Sequence, residues 1–149
     1  MELNSQTILA KNSEAKQVLI WRDDLRNTNG QKVRAGKKAA QLAHASWASV
    51  LKSRHTIIDR EKKQIIISYG ENPAMAMWFD VRFKKTALTC KNLDELNELY
   101  EKAVEAGLPC CIITDAGLTE FGEPTVTCIA IGPAWPEEID PITGYLSTL

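Results

Sequence analysis

Apolar residues fall in short blocks along this chain, and the spacing within each block names an element. Val18-Leu19-Ile20-Trp21 is an unbroken apolar run, the pattern of a strand buried on both faces over residues 16–23. Residues 27–34 are polar around Asn29-Gly30 and read as a loop. A helical pattern follows over residues 35–54. Its Ala39, Ala40, Ala43, Trp47, Val50 and Leu51 share one side and are expected to face the sheet. Lys37, Gln41, His44 and Ala48 form a second stripe at i, i+4, i+7 and i+11, which puts Lys37 and His44 on one edge, two turns apart.

Two β-branched runs, Thr56-Ile57-Ile58 and Gln64-Ile65-Ile66-Ile67, flank a charged centre at Arg60-Glu61-Lys62-Lys63. This predicts a hairpin outside the main sheet, with its charges in solvent and its isoleucines under cover. Residues 73–83 read as a helix with Pro73 in the first turn, and residues 85–90 as a short strand. Asn92 with Glu95 three residues on marks a helix start. Leu93, Leu96, Leu99, Tyr100, Ala103 and Val104 form that helix's apolar face, and Gly107 and Pro109 end it. Residues 110–114 and 125–131 read as two more strands, and the chain then runs into a tail. Strands alternating with helices predict an α/β protein. The expected fold is a three-layer α/β/α sandwich around a four-stranded mixed sheet, the last strand antiparallel, with an inserted hairpin-like segment. Residues 16–149 are expected to form one domain after an N-terminal tail over residues 1–15.

The net charge of −1 hides a division: residues 16–91 hold 16 Lys+Arg against 6 Asp+Glu, while residues 92–149 hold 1 against 11. Such a chain is neutral as a whole yet can present one basic face, either as solvated surface or as a phosphate-binding track. The polar N-terminus does not have the pattern of a signal peptide, and no apolar run is as long as a membrane span. Cys90, Cys110, Cys111 and Cys128 sit in apolar, strand-like runs without metal spacing. They read as reduced core residues of an intracellular protein, with Cys110 and Cys111 on opposite faces of a strand.

Two separated segments carry candidate chemistry. Gly36 to Ala45 puts Lys37 in the opening turn of a helix, and Asp115-Ala116-Gly117-Leu118-Thr119 puts an aspartate where a strand runs into a glycine loop. Brought together, a cation and a carboxylate in a cleft suit hydrolysis. Lys37 near the positive end of the helix dipole is mildly unfavourable, which points to a use for it beyond that of a surface lysine. Asp115 either orients and deprotonates a water or caps the amides of Gly117 and Leu118. Thr119 either positions that water or closes a turn.

These segments resemble the second type of peptidyl-tRNA hydrolase, the family typical of archaea and eukaryotes. The likeness rests on Val18 to Leu25, on Gly36-Lys37-x-Ala39-Ala40-Gln41-x-x-His44-Ala45, on Lys85, and on the Leu-Tyr-x-x-Ala-x-x-x-Gly-Leu-Pro pattern ending at Pro109. Asp115-Ala116-Gly117-x-Thr119, Ile131-Gly132-Pro133, Ile139-Asp140 and Thr143-Gly144 complete it. The resemblance implies hydrolysis of the ester between a peptide and the 3′ ribose of tRNA, without a metal or other cofactor, in the cytoplasm, by a homodimer. Lys37 is then the oxyanion stabiliser, Asp115 and Thr119 the water-handling pair, and His44 a proton relay. Arg22, Arg34, Lys38, Gln41, Lys84 and Lys85 are the candidates for tRNA contact. Several features depart from the family pattern: a longer 25–36 loop, the 56–69 insertion, and Leu118 and Glu120 at positions where the family tends to have arginine and glutamine. Leu118, Glu120 and the insertion favour the alternative of a degenerate relative that binds RNA or another ligand without cleaving it, whereas Lys37, Gln41, His44, Asp115 and Thr119, all present, favour the hydrolase, which is the preferred reading.

Overall fold

A computed structural model describes residues 14–149. Of the expected 1–15 tail, only Glu14 and Ala15 therefore fall among the described residues, and Ala15 is buried with Trp78 and Trp135. Strand β1 (Lys16–Arg22) lies inside a four-stranded sheet with β4 (Lys85–Cys90), β5 (Cys110–Asp115) and β6 (Thr125–Ala134), in the order β4-β1-β6-β5. β1 is parallel to β4, and β6 runs antiparallel to both β1 and β5. The carboxyl ends of β1, β4 and β5 therefore share one rim. The expected mixed sheet and its antiparallel last strand are both present.

Alternate residues of the strands supply two core layers. On one face Val18, Ile20, Leu88, Ile129 and Ile131 pack with Leu96, Leu99 and Ala103 of helix α3 (Leu93–Glu105) and with Ile139 and Ile142 of helix α4 (Pro136–Thr143). On the other, Leu19, Trp21, Cys111, Cys128 and Ala130 meet Leu42 and Ala45 of helix α1 (Ala35–Leu51). Cys110 and Cys111 accordingly point into different layers. Burial pushes the thiols of Cys90 and Cys111 up to about 11 and that of Cys128 to about 12, so they stay protonated. Asn92 caps α3 by accepting the Glu95 amide, while Glu95 reaches back to the amide of Lys91.

Four local expectations are corrected. First, α1 does not present Ala39, Ala40, Ala43 and Trp47 to the sheet. Those residues are exposed, Trp47 by 52 %, and Gln41, Leu42, Ala45, Ser46, Ser49 and Val50 are buried instead. The helix is held by polar groups: Ser46 donates to the Gln17 side chain and Ser49 to the Gly132 carbonyl. Alanine and serine burial cannot be ranked by hydropathy, and satisfied polar groups bury readily. Second, residues 73–83 form a short helix α2 (Pro73–Met77) that widens into a π-helical turn, Trp78–Arg82. Phe83 ends it at φ 55, the left-handed region. Third, the tail contains α4, which has Pro136 in its first turn and tolerates Pro141 inside. Fourth, β2 (Thr56–Asp59) and β3 (Gln64–Ile67) form the separate hairpin that was expected, but Ile57, Ile58, Ile65 and Ile66 stay exposed and Ile67 alone packs on a core cluster.

Candidate active site

The amino end of α1 meets the carboxyl end of β5. Lys37 Nζ lies 2.7 Å from Asp115 Oδ1 and donates at 2.9 Å to Thr119 Oγ1. The Lys37 side chain is 17 % exposed and that of Asp115 10 %, so the pair is largely shielded from solvent. Gln41, one turn along α1, donates to the same Asp115 oxygen at 3.1 Å, and its own carbonyl accepts from Thr127 Oγ1 at 2.7 Å. The other carboxylate oxygen accepts the Gly117 amide at 2.9 Å. Asp115 therefore caps the glycine turn, one of the two roles the sequence leaves open to it, and it also pairs with Lys37.

Gly117 has no substitute in this turn. Its φ is +84°, and an added Cβ would lie 2.2 Å from the backbone carbonyl of Glu123.

Desolvation by burial works to raise the Asp115 pKa, but it is outweighed. Hydrogen bonds from Lys37 and the Gly117 amide, and the charges of Lys37 and His44, bring the net value below the ordinary carboxylate range. Asp115 is thus ionised throughout the neutral range. It is a poor proton sink and a good acceptor for aligning a water. Lys37 has three donors; two are engaged, which leaves one for an oxygen in the cleft. Thr119 accepts from Lys37, so its own hydroxyl proton is free to donate.

The other sequence candidates are placed less uniformly. His44 is exposed on α1, two turns along from Lys37. Gln41 is 4 % exposed with both ends of its amide engaged, so it buttresses Asp115 and offers nothing to RNA. Arg22 grips Asp24 with two nitrogens and the Val126 carbonyl with a third. Arg34 is exposed at the helix entry, and Lys38 Nζ lies 5.7 Å from the Trp21 ring centroid. Lys84 and Lys85 do not flank the cleft in space. Lys85 pairs in register with Gln17 while Arg22 pairs with Cys90, so the two lysines stand on the opposite rim, about 16 Å along the strands. Lys85 also donates to the Phe83 carbonyl and lies 3.2 Å from that ring's centroid, and burial lowers its pKa.

Sequence reasoning missed Thr127, a polar residue in an otherwise apolar strand, which was a usable signal. It also missed Phe121, whose ring centroid is 5.9 Å from Lys37 Nζ, and for which the sequence carries no signal. Glu120 is engaged with backbone amides. Its carbonyl accepts the Thr28 amide and its carboxylate the Arg34 amide, at 2.9 and 3.4 Å, which ties down the long 25–36 loop.

A mixed α/β sheet thus carries a buttressed cation–carboxylate pair at its rim, the arrangement of a candidate hydrolytic site. The family model of peptidyl-tRNA hydrolase PTH2 matches residues 15–149, and the chain belongs to that family. A peptidyl-tRNA hydrolase of Methanopyrus kandleri is 40 % identical over 134 residues, covering 90 % of this chain and 97 % of the relative. Those of Sulfolobus acidocaldarius and Methanocaldococcus jannaschii are 44 % and 36 % identical, covering 76 % and 90 % of this chain and 88 % and 99 % of theirs.

Proposed function

We propose that this chain hydrolyses the ester joining a peptide to the 3′ ribose of tRNA, with Lys37, Asp115 and Thr119 as the reacting constellation. The observation that carries the reading is the Lys37–Asp115–Thr119 cluster, held from below by Gln41 and Gly117. A water aligned by the free lone pair of Asp115 and the Thr119 hydroxyl adds to the ester carbonyl. The third Lys37 donor meets the oxygen on which negative charge develops. The bond to the ribose oxygen then breaks, and the water's proton ends on that oxygen. His44 is proposed as the outer relay, since it lies on the same edge of α1 as Lys37 and Gln41. The test is release of a blocked aminoacyl group from charged tRNA. Absence of release at micromolar enzyme would favour the degenerate alternative; against that alternative, Leu118 is 89 % exposed and Glu120 binds the backbone of the 25–36 loop.

Docking of the acceptor stem is proposed on Arg34 and Lys38, which stand beside Lys37 at the amino end of α1. Arg22 is a weaker contact because it is engaged internally. Lys84 and Lys85 reach RNA only where it extends to the far rim. Binding of an acceptor-stem hairpin should weaken with salt at a log–log slope of about −0.9 per phosphate contact. Arg34→Glu with Lys38→Glu should lower affinity and flatten that slope. An affinity that ignores both salt and charge reversal would point to a partner other than RNA.

A homodimer is also part of the proposal, supported by the outward face of α1, where Trp47 stands exposed among Ala39, Ala40 and Ala43. Sedimentation as a monomer at assay concentration would remove it.

A further inference from the structure

The sheet has two edges, and the chain treats them differently. The outer edge of β4 is covered by the C-terminal segment. Thr89 donates its amide to Ser147, Leu149 donates its amide to Ala87, and Leu88 bridges to Thr148. The outer edge of β5 has no such cover: among the described residues, no backbone hydrogen bond reaches β5 from any segment but β6. β5 reads Cys-Cys-Ile-Ile-Thr-Asp, without charge or proline before its last residue. Open, uncharged, β-branched edges invite pairing, and proteins usually block them with lysine, proline or a covering segment. This edge ends at Asp115, the carboxylate of the site.

We propose that the peptide moiety of the substrate pairs with the open edge of β5 as a fifth strand, parallel to it. The proposal rests on the reading of this site as a peptidyl-tRNA hydrolase. Direction follows from chemistry. The scissile ester is at the peptide's carboxyl end and must lie at Asp115, which is the carboxyl end of β5, so the two strands run the same way. Antiparallel pairing would deliver the ester to Cys110, at the wrong end.

The other end of β5 opens into a hollow of about 280 Å³ whose lining includes Lys52, His55, Asn72, Val104 and Cys110. Lys52 and His55 follow α1 on one face of the sheet and Val104 lies on α3 on the other, so this hollow straddles the edge where the amino end of the bound peptide would emerge. Main-chain pairing also answers a substrate problem. Backbone groups are the same in every peptide, so edge addition binds without reading side chains. Six strand residues span about 20 Å, which sets the length the edge can hold.

The test compares tRNA carrying one N-acetylated residue with tRNA carrying blocked peptides of two to eight residues. kcat/KM should rise with length and level off at about six residues, with little response to side-chain identity. N-methylation of a six-residue peptide should cost about 5- to 10-fold at alternate positions, where it removes an N–H donor to β5, and little at the positions between. Ile112→Pro should bring the six-residue substrate down toward the single-residue one. Ile112 has its amide on the open side, because the Gly132 amide donates to Pro109 and so sets the alternation. Should that variant not fold, the N-methyl series on the wild-type protein still decides. Equal kcat/KM at all lengths and methylation patterns would overturn the proposal while leaving the hydrolase reading in place. So would a dimer held through β5, lost in Ile112→Pro and indifferent to peptide N-methylation. No hydrolysis at any peptide length would overturn the hydrolase reading and this proposal with it.

Discussion

Replacing Lys37 by alanine is expected to lower peptidyl-tRNA hydrolysis by on the order of 10²- to 10³-fold, the usual cost of removing one donor aimed at a developing oxyanion. The loss should fall on kcat, because the third Lys37 donor has its strongest partner only when charge builds on the ester oxygen. Stability should also change. A lysine in an exposed first turn is worth little, about ±0.5 kcal/mol, but this one is 17 % exposed and paired with a carboxylate that is 10 % exposed. Its removal leaves Asp115 with Gln41 and Gly117 as donors and should cost about 1–3 kcal/mol. Single-turnover rates at saturating enzyme, read beside a urea midpoint, separate the two effects. A variant that hydrolyses the ester at the wild-type rate would remove Lys37 from the chemistry.

Asp115→Asn should be at least as damaging, on the order of 10²- to 10⁴-fold. The change removes the acceptor that aligns the water and releases the anchor that positions Lys37, so the two losses compound. It also carries a pH signature in stability. The folded-state pKa of Asp115 is depressed, so its ionisation stabilises the fold above the unfolded carboxylate value of about 3.9. That contribution is lost as pH falls through the still lower folded value. The stability difference between wild type and Asp115→Asn should therefore hold from neutrality to about pH 4 and shrink in stronger acid. Urea midpoints at pH 7, 5 and 3 check this. A difference constant across that range would mean that Asp115 is not held ionised by Lys37 and Gly117.

The sequence by itself determined the element order as far as the last strand, the mixed sheet, the separate hairpin and the two segments that meet at the site. Each rests on local physics. Val18 to Trp21 is too apolar to face water on either side, Asn92 and Glu95 cap a helix wherever that helix lies, and Gly117 allows a turn closed to other residues. Lys37 and Asp115 were legible as a pair because each sits where an element begins or ends, and rims of α/β sheets collect such ends.

Only the tertiary structure decided which face of α1 is buried. Gln41, Ser46 and Ser49 look like surface residues until Asp115, Thr127, Gln17 and Gly132 supply their hydrogen bonds, and those partners are 29 to 86 residues away. Tertiary structure also sent Lys84 and Lys85 to the far rim, because parallel pairing of β4 with β1 sets the start of β4 opposite the end of β5. Nearness in charge pattern is a property of sequence, whereas nearness to the ester is set by strand direction. The open edge of β5 belongs to the same class of fact. Nothing in Cys110 to Asp115 says which neighbour a strand lacks; the order β4-β1-β6-β5 says it, by placing that strand last.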